Sequence, residues 1–194
     1  MGVIKTALEI ALEKTENVKG DKSSIDQFEG KQRGKRLANA YLEKDTDLAL
    51  EIKKIPAEIK KSVKQGIFDV FVSQITLPVG KDDERRLERA LNGLAVVVEN
   101  KQINTLSQRL IRIISSYQQE AALCEQAAGQ QYAPRLRQKE EELSRRLGRE
   151  VRIDPSQDPE YSAFYNQRAS ALKANYEPVI ERARAEAHQL FNED

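Results

Sequence analysis

The sequence predicts an all-α protein in which a helical subdomain, residues 1–80, precedes an elongated antiparallel helical hairpin, residues 81–194. Apolar residues recur at steps of three and four along most of the chain, which is the spacing of one face of an amphipathic helix. Charged residues make up 32% of the chain and aromatic residues 6%, with no tryptophan. This composition indicates a small core and a large exposed surface, as elongated helices have.

The tip of the hairpin, near residues 148–158, carries the clearest local signals. Gly148 follows the apolar run that ends at Leu147, and a glycine just past a helix can adopt the left-handed conformation of a C-terminal cap. Asp158 suits an N-cap, and Pro159 suits the first position of a helix, where its missing N–H is not needed. We therefore expect one helix to end near residue 147 and another to begin near residue 159.

The two arms, Asp82–Leu147 and Asp158–Phe191, each carry a narrow apolar stripe rich in alanine, which favours close, coiled-coil-like packing. Gly129 and Pro134 lie inside the first arm, and because proline removes a helical hydrogen bond we expect a kink or a break between them. Asn100-Lys101 is a second candidate interruption. The stripes consist of Leu106, Leu110, Ile113, Tyr117, Ala121, Cys124, Ala128, Tyr132, Leu136, Leu143 and Leu147 on the first arm, and of Tyr161, Tyr165, Leu172, Tyr176, Val179, Ala183 and Leu190 on the second.

Two helices are predicted before residue 45. Val3–Val18 is apolar along one face, and Gly20-Asp21 is expected to end it. Ser24 and Gln27 form a capping box for the second helix, since each side chain can bond to a backbone N–H near the other. The residues of this second helix expected to face the core are Ile25, Phe28, Leu37, Ala38, Tyr41 and Leu42.

Gly30 and Gly34 are expected to interrupt the second helix, because each costs up to about 1 kcal/mol relative to alanine in a helix interior. Glycines among basic residues can let the backbone and side chains approach an anion, which makes this segment a weak candidate for anion binding. The alternative is a flexible, solvated turn between two half-helices. The candidate anion-binding residues are Lys31, Arg33, Lys35 and Arg36.

Two further helical segments complete the N-terminal part: Asp47–Lys54, and a longer helix that Pro56 opens and that runs to about Thr76. Gly66 in the longer helix is a candidate position for close packing against another helix. A change of composition supports a boundary near residue 80, since 12 of 16 lysines precede it and 14 of 16 arginines follow it.

The overall charge and the cysteine count limit the classes of function. The net charge of +1 gives no global field that would steer the chain to nucleic acid or to a membrane. One cysteine cannot build a disulfide framework, and neither a signal segment nor an apolar run of membrane length is seen, so we expect a cytoplasmic protein without a membrane span. The first residues match the N-myristoylation pattern at Gly2, but no adjacent basic patch or second lipid site accompanies it.

Catalytic, metal and cofactor signals are missing from the sequence. His188 is the single histidine and Cys124 the single cysteine, so an ordinary zinc site cannot be built within one chain. Phosphate-binding glycine loops and nucleophile elbows are also missing. We therefore expect no enzyme activity, no cofactor and no metal.

The predicted tip is the main candidate site. Projecting loops often carry the function of a rigid scaffold, and arginine is favoured in interface hot spots. In the alternative, the apolar residues of the tip cover the end of the two-helix core and its charges are solvated. The candidate partner-binding residues are Arg145, Arg146, Arg149, Val151, Arg152 and Ile153.

The function that these features favour is a non-catalytic helical scaffold or adaptor that acts through self-association or through binding of another protein. The alternative is binding of a polyanion or nucleic acid through the basic clusters. The near-zero net charge and the few aromatic residues for base stacking argue against that alternative.

Overall fold

The structure, a computed structural model, describes residues 7–44 and 46–193, with side chains from residue 24 onward in those ranges. All regular structure in these ranges is helical, which confirms the all-α prediction. A single turn of 3-10 helix, Pro155–Gln157, lies between the last two α-helices. The α-helices are α1 (Ala7–Glu43), α2 (Leu48–Lys53), α3 (Ala57–Ser73), α4 (Lys81–Val97), α5 (Gln102–Leu147) and α6 (Pro159–Asn192).

The first predicted helix boundary is wrong, because α1 continues through Gly20-Asp21 as a single helix of 37 residues. One glycine costs only about 1 kcal/mol in a helix interior, which is too little to end so long a helix. The predicted start of the helix Val3–Val18 and the lipidation pattern at Gly2 lie outside the described residues.

Gly30 and Gly34 also lie inside α1, so the predicted interruption there is wrong. A Cβ atom on Gly34 would overlap the carbonyl oxygen of Val63 in α3. A Cβ atom on Gly66 in α3 would overlap the carbonyl oxygen of Lys31 in α1. The glycines are therefore the points at which the backbones of α1 and α3 approach each other, and the predicted close packing at Gly66 is confirmed.

The core around α3 is built from aliphatic and phenylalanine side chains. The rings of Phe68 in α3 and Phe191 near the end of α6 stack with their centroids 4.1 Å apart. A Cβ atom on Gly93 in α4 would overlap the ring of Phe71, so α4 also approaches α3 closely. The largest fully buried side chains in this part of the chain are Val63, Ile67, Phe68, Phe71, Ile75, Leu94, Val97 and Ile103.

The arm predicted over Asp82–Leu147 consists of two helices, because α4 ends at Val97 and α5 begins at Gln102. Val98 has an extended backbone and is buried. Asn100 then accepts a hydrogen bond from the N–H of Gln102 through Oδ1, at 3.0 Å, which satisfies a free donor at the start of α5. The interruption predicted at Asn100-Lys101 is therefore confirmed.

The described chain divides into two compact units. The first contains the described residues up to Thr76, Gly80–Asn104 and the segment from Gln189 onward, and the second contains Leu77–Val79 and Thr105–His188. This grouping differs from a boundary at residue 80, because α4 buries its apolar face in the first unit.

The second unit contains most of α5 and α6, and its contacts show that the two helices run antiparallel. Four contacts join the helices in order along α5: Arg109 with Glu186, Tyr117 with Tyr176, Gln131 with Arg168, and Lys139 with Asp158. The residue numbers rise along α5 while those of the partners fall. Two alanines of the predicted stripes, Ala128 and Ala183, are buried here, and Ala187 of the second arm is buried as well.

Neither proline inside these two helices ends its helix. Of the kink or break expected between Gly129 and Pro134, the break is wrong, since α5 is helical from Gln102 to Leu147. Pro178 lies inside α6 in the same way. Each proline removes one helical hydrogen bond, and the remaining bonds and the packing of the helix hold it together.

Candidate functional site

The tip begins and ends where the sequence predicts. Gly148 has φ of +66°, the left-handed conformation expected of a residue just past a helix, and α5 ends at Leu147. Asp158 caps α6, because its Oδ1 accepts hydrogen bonds from the N–H groups of Glu160 (2.8 Å) and Tyr161 (3.1 Å).

The loop between the helices is tied down by side chains from the last turns of α5. The N–H of Val151 donates to Oγ of Ser144 at 2.9 Å, and the N–H of Ile153 donates to Oε1 of Glu140 at 2.8 Å. Asp154 accepts bonds from the backbone N–H and hydroxyl of Ser156, and these bonds lower the pKa of the Asp154 carboxyl. The loop is therefore an ordered platform.

A cluster of polar side chains lies between α5 and the start of α6, next to this loop. The ammonium of Lys139 is 2.7 Å from Oδ2 of the buried Asp158 and 3.2 Å from Oε2 of Glu160. The hydroxyl of Tyr132 is 3.2 Å from Oε2 of Glu160 and 3.4 Å from Oδ1 of Asp158. Arg135 adds a longer contact of 3.7 Å to Glu160. We call Tyr132, Lys139, Asp158 and Glu160 the clasp.

The titration of the clasp follows from these contacts. The hydrogen bond from Lys139 lowers the pKa of both Asp158 and Glu160, and the bond to Asp158 raises the pKa of Lys139. Burial raises the pKa of the Tyr132 hydroxyl. All four groups therefore keep their ordinary charge at neutral pH. This is the behaviour of a structural ion-pair network, whereas a general acid or base needs a pKa near the working pH.

The predicted tip residues lie together in one short stretch. Arg145, Arg146, Arg149 and Arg152 are exposed, whereas Val151 and Ile153 are half-buried. Arg145 lies 3.7 Å from Glu141, and Arg152 lies 3.3 Å from Glu150. Within the described residues, Arg146 and Arg149 form no ion pair.

The apolar stripe of α5 becomes exposed as it reaches the tip. Leu136 is buried, but Leu143 is partly exposed and Leu147 is 57% exposed. The prediction that Leu143 and Leu147 belong to the packed stripe is therefore wrong. These leucines follow Lys139, whose contact with Asp158 joins α5 to the start of α6, and they lie beside the tip arginines.

The candidate anion-binding residues of α1, Lys31, Arg33, Lys35 and Arg36, are all exposed. Helix α3 packs directly against Gly30 and Gly34, so the backbone of this segment is not available to an anion. Arg33 and Arg36 instead line a groove of about 630 Å³ together with two acidic residues of the same helix. Its lining residues are Asp26, Phe28, Glu29, Gly30, Gln32, Arg33, Arg36 and Ile59.

Two of the residues predicted to face the core from α1 are exposed, so that prediction is wrong for them. Ile25 is 55% exposed and Phe28 is 63% exposed, whereas Ala38 and Leu42 are buried as predicted. Ile25 and Phe28 lie on the side of α1 opposite to Gly30 and Gly34, because a helix turns by about 100° per residue.

The sequence analysis missed a basic pocket of about 380 Å³ in the first unit. The ammonium of Lys64 lies 2.6 Å from Oε1 of Glu99, and this contact lowers the pKa of the Glu99 carboxyl. The spacing of Lys60, Lys61 and Lys64 on one helix was the available signal. The lining residues are Lys60, Lys61, Lys64, Gln65, Val97, Glu99, Phe191 and Asn192.

Neither a metal-binding cluster nor a membrane-spanning helix occurs among the described residues. They contain no group of three or more histidine, cysteine, aspartate or glutamate side chains arranged to hold a metal ion. None of the helices in the described ranges combines the length and the apolar character needed to cross a membrane.

Comparisons with other proteins give one match. Neither the curated proteins nor the solved structures contain a match to the chain. Residues 49–189, from α2 to the end of the α5–α6 pair, match DUF6657, a family of unknown function. This match covers more than half of the sequence, and the chain therefore belongs to the DUF6657 family.

Proposed function

We propose that the protein is a non-catalytic helical scaffold or adaptor of the cytoplasm, and that it binds another protein at the tip of its α5–α6 hairpin. In this proposal the two helices act as a coiled-coil-like arm, and the surface that the arm presents is the first part of the tip together with the last turn of α5, residues 144–153. The partner surface carries carboxylates for the tip arginines and an apolar recess for Leu147.

The observation that carries this proposal is that an anchored loop and the helix turn before it present two arginines, Arg149 and Arg146, without a counter-ion among the described residues. Ser144 and Glu140 fix the N–H groups of Val151 and Ile153, so the loop does not have to be ordered on binding. Arg146 and Arg149 form no ion pair with any described residue. Arginine can donate two parallel hydrogen bonds to one carboxylate, and such bonds are stronger than those between neutral groups.

The exposed leucines supply the apolar part of the surface. Leu147 is 57% exposed directly beside the arginines, and Leu143 lies one turn earlier on α5. A side chain of this size gains about 1.5–3 kcal/mol when it is fully buried. An apolar centre with a charged rim is the usual arrangement of a protein interface.

The ionisable groups nearest the tip support a structural role. The lowered pKa values of Asp158 and Glu160 and the raised pKa of Lys139 keep the clasp in one charge state at neutral pH. A cluster in that state holds two helices together, but it has no group poised to exchange a proton with a substrate.

The proposal is tested by a crosslinked pull-down from the native host with a tip-alanine variant, in which Arg145, Arg146, Arg149 and Arg152 become alanine. The matched control changes four other exposed arginines to alanine, and equal helicity of all proteins is checked by circular dichroism. The control residues are Arg85, Arg86, Arg112 and Arg182.

We expect an acidic protein partner that the wild type and the control retain and that the tip-alanine variant loses. Changing the four tip arginines to lysine should weaken the complex without abolishing it, because the charge remains but the paired hydrogen bonds are lost. Equal recovery of all partners by the tip-alanine variant would exclude the tip as the binding surface. Recovery of nucleic acid in place of a protein would favour polyanion binding.

A further inference from the structure

The outward face of α1 exposes a pair of large apolar side chains that no other part of the described chain covers. Ile25 and Phe28 are 55% and 63% exposed, one helical turn apart, whereas Phe68 and Phe71 in the neighbouring core are completely buried. Phe28 also lines the groove of about 630 Å³ that reaches Ile59 in α3. An apolar pair beside an open groove is a typical docking surface.

The charged residues along one edge of this face are ordered with the acids before the bases. Asp26 and Arg36 are placed symmetrically about residue 31, and so are Glu29 and Arg33. In the described part of the chain these four side chains form no ion pair with any residue. When two copies of this edge run antiparallel, the acidic half of each copy therefore faces the basic half of the other.

We propose that the occupant of this face is a second copy of the chain, with the two α1 helices antiparallel about a two-fold axis near residue 31. Such an axis brings Asp26 beside the partner's Arg36 and Glu29 beside the partner's Arg33, and symmetry repeats each pair. Ile25 and Phe28 then enter the groove beside the other copy's Gln32 and Arg36.

The charge order selects this arrangement over a parallel one. In a parallel pair Asp26 would lie beside the partner's Asp26, and Arg36 beside the partner's Arg36, so that like charges would meet along the whole edge. The charged edge and the apolar pair lie on α1, outside both the tip and the residues that match the family, and of the groove only Ile59 lies within that match. The dimer therefore does not depend on the proposed binding of a partner at the tip.

The proposal is tested by sedimentation equilibrium with charge-reversed variants of the full chain. We expect the wild type to form a dimer that weakens as salt is added, because exposed ion pairs are screened. Asp26→Lys with Glu29→Lys should raise the dissociation constant at least about tenfold, since four attractions become four repulsions. Arg33→Glu with Arg36→Glu should have the same effect.

Two complementation experiments separate this interface from any other. An equimolar mixture of the two double variants should form a heterodimer, because every pair across the interface is again of opposite sign. The quadruple variant that combines all four changes should regain self-association. Phe28→Ser should raise the dissociation constant without altering the helicity, since Phe28 is mostly exposed.

A matched control changes two exposed acids of α4, Asp82→Lys with Glu88→Lys, and should leave the dissociation constant unchanged. The tip-alanine variant should also dimerise as the wild type does, so failure of one proposal is distinguishable from failure of the other. A wild type that stays monomeric, or double variants that dimerise like the wild type and do not complement each other, would overturn the antiparallel dimer.

Discussion

The ammonium of Lys139 in α5 lies 2.7 Å from the carboxylate of Asp158, the residue that caps α6, so one side chain fixes the point at which the second arm begins. The other oxygen of that carboxylate accepts the first backbone N–H groups of α6. The start of α6 and its attachment to α5 therefore depend on the same buried group.

The first prediction concerns this pair. Lys139→Met should lower the melting temperature by several degrees, because it leaves the buried carboxylate of Asp158 without its cation. Adding Asp158→Asn should recover part of the loss, since asparagine is neutral and still a good N-cap. Thermal unfolding followed by circular dichroism measures both effects. Equal melting temperatures for wild type and Lys139→Met would show that the ion pair does not stabilise the hairpin.

The second prediction is a loss of stability in acid. The contacts with Lys139 hold the pKa of Asp158 below its ordinary 3.8 and that of Glu160 below its ordinary 4.5. The folded protein therefore holds fewer protons than the unfolded chain in this range, so the stabilisation is complete above about pH 5 and is lost as the pH falls through the lowered values.

The raised pKa of Lys139 acts in the opposite direction and at the other end of the scale. Its contribution is complete below its ordinary pKa of 10.5 and is lost only as the pH rises beyond that value. Acidification from about pH 5 to about pH 3 should therefore lower the melting temperature of the wild type more than that of the Lys139→Met, Asp158→Asn double variant. Parallel pH curves for the two proteins would contradict this prediction.

The ends of the helices at the tip could be predicted from the sequence because the responsible interactions are local. Gly148 and Asp158 act on backbone groups within a few residues, and Pro159 constrains only itself and its neighbours. The clasp could not be predicted, because the approach of Lys139 to Asp158 depends on how far α6 is shifted along α5. That shift is set by many weak side-chain contacts.

The glycines of α1 show the opposite case, in which a correct local preference leads to a wrong structure. Gly30 and Gly34 do weaken an isolated helix. Their lack of a Cβ atom allows α3 to approach, and the packing gained there outweighs the weak helix propensity. The exposure of Ile25 and Phe28 escaped prediction for a related reason, since the sequence alone does not reveal which face of α1 meets α3.

The third prediction distinguishes a glycine that allows close helix packing from a glycine that only weakens its helix. Gly34→Ala or Gly66→Ala should destabilise the protein by about 1–3 kcal/mol or more, because the added methyl group overlaps a backbone carbonyl that cannot move without separating the helices. Gly129→Ala in α5 is the matched control. Its Cβ atom would meet only the Tyr161 hydroxyl, at 3.9 Å, so the change should stabilise the protein by about 0.5–1 kcal/mol.

Urea unfolding of the purified variants measures these differences. The slope of the transition should stay unchanged, so that the midpoint alone reports stability. If Gly34→Ala and Gly129→Ala shifted the midpoint in the same direction, close packing of α1 on α3 would not be the reason for the glycine at position 34.

The fourth prediction connects the order of the tip to its proposed use. Glu140→Ala removes the acceptor of the Ile153 N–H, and Ser144→Ala removes the acceptor of the Val151 N–H. Each change should speed hydrogen exchange of the corresponding amide by about two- to tenfold, as expected for the loss of one hydrogen bond. Arg146→Ala, which leaves both acceptors in place, is the control and should leave these amides unchanged.

The combined Glu140→Ala, Ser144→Ala variant keeps every arginine and leucine of the tip. It therefore tests whether the order of the loop contributes to the binding affinity. A partner that binds the anchored loop should bind this variant more weakly, because the loop then has to be ordered during binding. The weaker affinity should appear as a slower association or a faster dissociation in a surface-binding measurement against the captured partner. Undiminished affinity together with faster amide exchange would mean that the tip binds through its side chains alone, whatever the state of the loop.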